Sequence, residues 1–421
     1  MCFRSILKYI KRRSVPVNGT SLMYSLTGGD YFMVQGTAKL VIDLGNSETR
    51  VKTYFGKTMK GNPRSRLTVM SNRYAEVPKN LLEGYLNDGV YTDEDSRIFD
   101  CNGNIYCAGR LCEEELAHAS SRPTAMEKKY SSLVSKLSIH SAFSQGFMDV
   151  AQFANCSIDS VDVDWEVIVL LPPEDLQIGG KQMGEMIRSI ERIDFLMPDL
   201  HKEIRIKDGG VRVLPEGFCA FLAVVMQSKT SLRPGYADIV NNAETSLICD
   251  IGAGTTDFML VRGAQVVSSS LFTREIGGNN VHRLVQRTLR NRGISLPDSE
   301  VRKGCEVGYV MSGSRRIPIA NELADAKKMV SRQLVDAVQE FFESSMISIR
   351  TISNILVCGG GAEAPEDIED IEPIANYITE YIRELAPDIK QIELPFEGKD
   401  ENRHRLSPRL LNIIGAGYMA E

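Results

Sequence analysis

The chain of 421 residues holds one tryptophan and five histidines, and nowhere an apolar run long enough to cross a bilayer as a helix. The missing run excludes a transmembrane helix. None of the nine cysteines forms a Cys-x-x-Cys pair, which removes the usual zinc spacings. Cys101, Cys107 and Cys112 come nearest to a cluster without making a metal site. There is no positive excess either: 49 Lys and Arg stand against 55 Asp and Glu, a formal charge of −6. That balance argues against nucleic-acid binding by the surface as a whole. Low-complexity segments and short internal repeats are also lacking.

The composition present is that of a globular protein, 43% hydrophobic and 25% charged. The length exceeds one core of ordinary size, and two domains are expected. Cys249 and Cys358 sit inside short apolar runs, where a reduced thiol packs as a small hydrophobe. A reducing cytoplasm follows as the expected compartment.

One stretch organises the rest. Ser246-Leu-Ile-Cys-Asp250-Ile-Gly252-Ala253-Gly254-Thr255-Thr256-Asp257-Phe-Met-Leu-Val261 is an apolar run ending in an aspartate, a glycine-rich break and a second apolar run. Its punctuation predicts a β-hairpin. Glycines admit close approach of a ligand to the backbone, and turn N–H groups can converge on phosphate oxygens. Asp250 is placed to hold the water shell of a Mg²⁺ ion, and Thr255 and Thr256 add hydroxyls. Upstream, Lys39-Leu-Val-Ile-Asp43-Leu-Gly45-Asn46-Ser47-Glu-Thr-Arg50-Val-Lys52 repeats the plan, its aspartate 207 positions earlier (43 against 250). A single such match is as readily an ordinary turn. Two copies one domain-length apart suggest two similar halves facing one nucleotide.

These two hairpins resemble the phosphate loops of the actin, sugar kinase and heat-shock chaperone ATPase superfamily. Ile355-Leu-Val-Cys-Gly359-Gly360-Gly361-Ala362-Glu363 resembles its adenosine loop, in the right order. The resemblance runs from about Lys39 to the C-terminus. It implies an α/β, actin-like (ribonuclease H-like) fold: two similar α/β domains flanking a nucleotide cleft, each with a smaller inserted subdomain. The expected boundaries are an N-terminal extension at 1–36, a first domain at 37–240 with an insert at about 56–124, and a second domain at 241–421 with an insert at about 290–345. The C-terminal helix is free to pack back on the first domain.

Within 1–36, Phe3, Ile6, Leu7 and Ile10 fall at helical spacing among Arg4, Lys8, Lys11, Arg12 and Arg13. An amphipathic helix binding a membrane through residues 1–13 is one reading. The favoured one is a tail without fixed structure, or an upstream extension of a chain started at Met23 or Met33. Along the chain, helices are expected at 132–152, 181–193, 322–342, 371–385 and near the C-terminus. A buried strand is expected at 165–171, stopped by Pro172 and Pro173, paired short strands at 203–213, and a loop at 229–245. Asn102-Gly103 marks a hairpin.

Several passages resemble more narrowly the bacterial plasmid-segregation actins of the ParM type. They are Tyr106-Cys-Ala-Gly109, Lys129-Tyr130-Ser, Val169-Leu-Leu171-Pro172, Pro215-Glu216-Gly217, the glycine loop at 359–363, and Leu411-Asn-Ile-Ile-Gly-Ala-Gly-Tyr418. The resemblance implies binding of ATP or ADP with Mg²⁺ held through water by Asp43 and Asp250. Phosphate and ribose contacts then come from Gly45, Asn46, Ser47, either Arg50 or Lys52, Gly252 to Thr256, Gly277 and Gly278 at a helix start, and Gly359 to Ala362. Glu322 and Lys327 are expected near the adenine, and Glu216 at the attacking water. An ordinary helix-cap acid is the plain alternative for Glu216, and a turn before a helix for Gly277 and Gly278.

The implied function is ATP-driven polymerisation into filaments that segregate DNA, with hydrolysis triggering disassembly. The partners are further copies of the chain and a DNA-bound adaptor, with no direct nucleic-acid contact. Two alternatives stand beside it: a small-metabolite kinase of the same superfamily, and a membrane-associated scaffold of the MreB type.

Overall fold

The computed structural model describes residues 24–26, 32–57, 63–87, 96–101, 103–116, 119–121, 127–195, 200–363, 374–397 and 404–420. The amphipathic pattern at Phe3 to Arg13 and the alternative starts lie outside the described residues, apart from Met33, which falls in the first long strand. The chain divides into two compact units.

The first unit takes in the described parts of Lys11–Leu171, Asp175–Pro215 and Ala416–Glu421. Strands β1 (Phe32–Leu44) and β2 (Glu48–Lys57) are the first expected hairpin, in antiparallel register with Asp43 opposite Arg50. The ordered strand begins seven residues before Lys39 and pairs with Tyr24–Leu26. Strand β3 (Pro63–Ser71) pairs with β2 and extends the same sheet. The insert expected from about 56 therefore begins later, because these residues belong to the main sheet. Residues Arg64 to Val69 are exposed or half-buried, as befits an edge strand, and their polarity disguises it; Arg64 and Arg66 reach the Phe153 carbonyl and the Asp149 carboxylate.

A separate three-stranded sheet follows, β4 (Tyr74–Glu76), β5 (Ser96–Cys101) and β6 (Asn104–Gly109), the last two antiparallel with Cys101 opposite Asn104. Helix α1 (Leu133–Ala154) is capped by Ser132, whose hydroxyl accepts from the Ser135 N–H at 3.0 Å. It lies on the main sheet because Gly146 leaves room for Trp165: a Cβ at 146 would stand 2.7 Å from the indole. Phe143 and Phe147 meet that indole edge-on, with centroids 5.8 and 5.2 Å away.

Strand β7 (Val161–Leu171) runs parallel to β1, and β8 (Arg205–Pro215) parallel to β7. The sheet order is β8-β7-β1-β2-β3. Two expectations are corrected in this stretch. Helix α2 (Pro173–Arg188) starts at the second proline and ends before 193, since proline is well tolerated in a first helical turn. The paired strands at 203–213 are one strand with an irregularity between Ile206 and Val211, where Gly209 has φ +67°.

The second unit is built from Pro172–Glu174 and Glu216–Gly415. It opens with the fully apolar helix α3 (Phe218–Val225), and a short helix at Ala237–Asn241 interrupts the expected loop at 229–245. Strands β9 (Thr245–Ile251) and β10 (Thr256–Arg262) form the second expected hairpin. Helix α4 (Gly278–Asn291), helix α5 (Asp298–Val307), the hairpin β11 (Tyr309–Ser312) and β12 (Arg315–Pro318), and helix α6 (Ala320–Ser345) follow. Strand β13 (Asn354–Cys358) pairs parallel with β9. Helix α7 (Ile374–Leu385) and helix α8 (Leu411–Ala420) end the chain.

Both main sheets obey one rule. The first strand of each hairpin is central, with its return strand antiparallel on one side and a later strand parallel on the other. A strand covered on both faces reads as a largely apolar run, and β9 is buried at every residue with Leu247 to Cys249 as its apolar middle. Its aspartate is therefore presented only at the end, where the apolar run stops.

Candidate functional site

In the second unit four loops meet around Asp250. The hairpin turn is closed by the Gly252 N–H donating to the Thr255 carbonyl at 2.8 Å. Helix α4 is pinned against this turn: the Gly278 N–H donates to the Gly252 carbonyl (3.0 Å) and the Asn279 N–H to that of Ala253 (2.7 Å). Gly277 is obligatory, because a Cβ there would fall 2.6 Å from the Gly252 oxygen. Its own N–H donates to the Asn280 side chain at 3.1 Å. Thr256 is wholly buried and its hydroxyl donates to the Ile276 carbonyl at 2.6 Å, bracing the strand that enters α4. Two first-turn donors of α4 are thus committed to the hairpin, and the helix's positive end lies against the turn.

The glycine loop after β13 completes the cluster. Asp250 is paired in register with Cys358, so Gly359 passes directly beside it. Gly359 has φ +86°, and a Cβ there would stand 2.4 Å from the Ile251 oxygen and 2.5 Å from Asp250 Oδ1. Gly361 is equally confined, at 2.5 Å from Ile251 Cγ2. Gly360 differs: its nearest neighbour would be Arg409 Cγ at an ordinary 3.7 Å. The protein itself gives no reason for a glycine at 360. Gly359 leads into a single 3-10 turn, Gly360–Ala362.

Asp250 is 5% exposed and accepts from the Asn412 amide at 2.6 Å. The oxygen of the same amide accepts from the Gly217 N–H (2.8 Å) and the Ala220 N–H (3.2 Å). Asn412 therefore ties Asp250 to the turn that carries Glu216. Glu216 is buried, and Gly217 after it takes φ +64° to start α3. Asn412 is a site residue that sequence reasoning does not find. The contact spans 162 positions, and no local pattern announces it.

Glu322 and Lys327 both lie on α6 but in different settings. Glu322 forms an ion pair with Arg292. Lys327 is 7% exposed, its ammonium has no partner among the described residues, and burial pushes its pKa down to about 8. Near it, burial brings His282 on α4 down to about 4, and its Nδ1 is also without a hydrogen bond. His282 was not foreseen. An unpaired buried cation costs free energy unless a ligand satisfies it.

In the first unit Asp43 is 2% exposed at the end of β1, and Arg50 reaches its Oδ2 at 3.0 Å. Of the two basic residues of the returning strand, Arg50 is therefore the one beside the aspartate. Lys52 lies over the Tyr54 ring at 5.2 Å. A Cβ at Gly45 would stand 2.5 Å from the Glu48 oxygen, and Asn72 holds this turn through the Gly45 carbonyl at 2.6 Å. Asn46 and Ser47 form its half-buried tip. A cavity of about 580 Å³ in this unit, lined by Tyr74, Tyr106, Ser121 and Leu137 among others, includes none of these residues.

Among the described residues no group of three His, Cys, Asp or Glu side chains converges as a metal cage. Isolated carboxylates at strand ends suit an ion that keeps its own waters, as Mg²⁺ does. The glycine at 360 without a protein reason and the orphaned ammonium of Lys327 both fit a phosphorylated ligand.

Residues 248–368 match the family model described as archaeal actin homologue MreB-like, C-terminal. No curated protein matches the sequence. Among solved structures, a 15-stranded ParM filament from Clostridium botulinum aligns at TM-score 0.61 and 15% identity, over 91% of this chain and 98% of that one. The actin-like protein Alp7A aligns at 0.62 and 15%, over 91% and 96%. Ta0583, an archaeal actin homolog in complex with ADP, aligns at 0.55 and 14%, over 90% and 97%. The chain has the actin-like α/β fold.

Proposed function

We propose that the chain is an actin-like ATPase that polymerises on binding Mg-ATP and disassembles after hydrolysis, serving the segregation of DNA, most simply a plasmid. The observation that carries the reading is the convergence of the β9–β10 turn, the start of α4 and the Gly359–Gly361 loop beside Asp250, packed so closely at Gly277, Gly359 and Gly361 that no Cβ fits. Three glycine loops about one carboxylate suit a nucleotide's phosphates and ribose. Two of the similar structures, a ParM filament and an archaeal actin homolog in complex with ADP, support the same reading.

In this reading the backbone at Gly252–Thr255 and Gly360 approaches the phosphates, Lys327 donates to the base, and Glu216 orients the attacking water. By the resemblance Asp43, with Arg50, serves the same nucleotide from the first hairpin. Mg²⁺, when bound, neutralises phosphate charge; Asp250 and Asp43 would hold its water shell. Phosphoryl transfer to water needs chiefly positioning and charge stabilisation, which such a frame supplies. A DNA-bound adaptor would connect the filament to its cargo. The cytoplasm is the proposed compartment, supported by eight free cysteines among the described residues. No helix there is long and apolar enough to cross a membrane.

High-speed sedimentation with Mg-ATP tests the proposal. Pelleting with ATP, and release of phosphate without any added acceptor, is the expected result. A chain that stays soluble and consumes ATP only with a small-molecule acceptor is a kinase instead. One that pellets only with anionic liposomes is a membrane scaffold.

A further inference from the structure

We infer that the outer face of α4 is a contact surface for a second copy of this chain; the inference rests on the filament reading above. Helix α4, Gly278–Asn291, contains three arginines and no acidic residue. At about 100° per residue, Arg283, Arg287 and Arg290 fall within roughly 60° of one another. They lie opposite Val281, Val285 and Leu289, which the core buries. The exposed Asn291 extends that outer face, so it offers hydrogen-bond donors and positive charge without a carboxylate. All three arginines are exposed, and neither Arg287 nor Arg290 has an ion-pair partner among the described residues. Arg283 donates only to the Asn279 carbonyl of its own helix, at 3.3 Å.

The surrounding segment is basic as well. Residues 278–332 hold eleven Lys and Arg against five Asp and Glu, in a chain whose formal charge is −6. The remainder is correspondingly acidic. A second copy therefore brings an excess of carboxylates for these guanidinium groups to meet, whereas a polyanion would meet repulsion from most of the molecule. A basic patch meeting a different, acidic patch is a heterologous contact. Such contacts repeat head to tail and generate open polymers. Guanidinium groups suit this role, since they pair with carboxylates through two parallel hydrogen bonds.

The experiment compares the parent, R287E/R290E and R287K/R290K by sedimentation with Mg-ATP at low and raised KCl, with affinity for a fluorescent ATP analogue measured alongside. The expected result is parent pelleting that weakens as salt screens the contact. R287E/R290E should need at least about tenfold more protein to pellet, equivalent to roughly 1.4 kcal/mol per contact. It should bind the analogue as the parent does, and R287K/R290K, which keeps the charge but not the paired hydrogen bonds, should assemble at protein concentrations between those of the other two. Equal pelleting of parent and R287E/R290E would overturn the inference while leaving the filament reading intact. A parent that binds the analogue but never pellets overturns both. Binding of a DNA duplex that R287E/R290E loses, with assembly unchanged, would assign the face to nucleic acid and overturn the second-copy assignment.

Discussion

The side-chain amide of Asn412 donates to Asp250 at 2.6 Å while its oxygen accepts from the N–H groups of Gly217 and Ala220. One residue of α8 thus fixes the carboxylate at the hairpin and the turn that presents Glu216. Asn412→Ala leaves buried partners without hydrogen bonds and should cost roughly 1–3 kcal/mol in urea unfolding. Asn412→Asp also puts a second negative charge against Asp250, so its Mg-ATP affinity should fall further than its stability. Equal ATP affinity in the Asp variant and the parent would mean that Asp250 is not near the nucleotide.

The three glycines of the adenosine-type loop separate fold from ligand. Gly359→Ala forces a side chain into φ +86° and against Asp250, and it should unfold or strongly destabilise the chain. Gly360→Val meets no protein atom closer than ordinary contact and should fold with near-parent thermal stability. If ATP lies against this backbone, the same variant loses ATP binding by calorimetry. Normal binding would leave the loop a structural turn.

Both hairpins were legible because their signal is local: an apolar run, an aspartate where it stops, and a glycine the turn requires. The glycine loop at 359 was legible for the same reason. Strand β3 was not, since an edge strand carrying Arg64, Ser65, Arg66 and Thr68 in succession reads as a polar insert. Helix α2 was placed late because Pro172 and Pro173 were read as a stop, whereas the second of them opens the helix. The bracing by Asn412 and the pairing of Asp43 with Arg50 depend on register and on distant chain. Nor does sequence reveal that Lys327 lacks a partner, which is a property of everything that surrounds it.

Lys327 carries a pH signature. Its folded pKa, about 8, lies below the ordinary lysine value of about 10.4. Between these values the unfolded chain binds more protons than the folded one, so this group's contribution to stability rises with pH across that window. Below about pH 8 the buried charge opposes folding in full. Lys327→Met should therefore raise the melting temperature at pH 7 and flatten its increase between about pH 8 and 10. A ligand that accepts from the ammonium should weaken the slope in the parent, so adding Mg-ATP brings the two pH profiles together. Parallel profiles for parent and variant, with and without nucleotide, would remove Lys327 from the site.

Gly146 tests the packing of the first unit apart from any ligand. A methyl group there meets the Trp165 indole, at 2.7 Å for a rigid backbone, in a core already filled by Phe143 and Phe147. Overpacking of this kind costs typically about 1–3 kcal/mol. Gly146→Ala should lower the urea midpoint without changing ATP affinity at permissive temperature. An unchanged midpoint would mean that α1 shifts freely over the sheet.

Glu216 is the residue on which the ATPase reading turns. It is buried, directly after β8 and before α3, on a turn held by Asn412. An acid at a helix start gains about 0.3–1 kcal/mol from the helix dipole, a role that asparagine or glutamine would partly fill. A residue that orients the attacking water has a different signature. Glu216→Gln keeps the shape and removes the charge, and it should slow phosphate release by about 10²-fold or more while ATP binding and assembly persist. Filaments of this variant should then form and fail to disassemble. Light scattering and phosphate release, followed together after mixing with Mg-ATP, separate the two roles. Parent-rate hydrolysis in Glu216→Gln would end the water-positioning assignment. Loss of stability with hydrolysis per bound ATP unchanged would identify Glu216 as a cap.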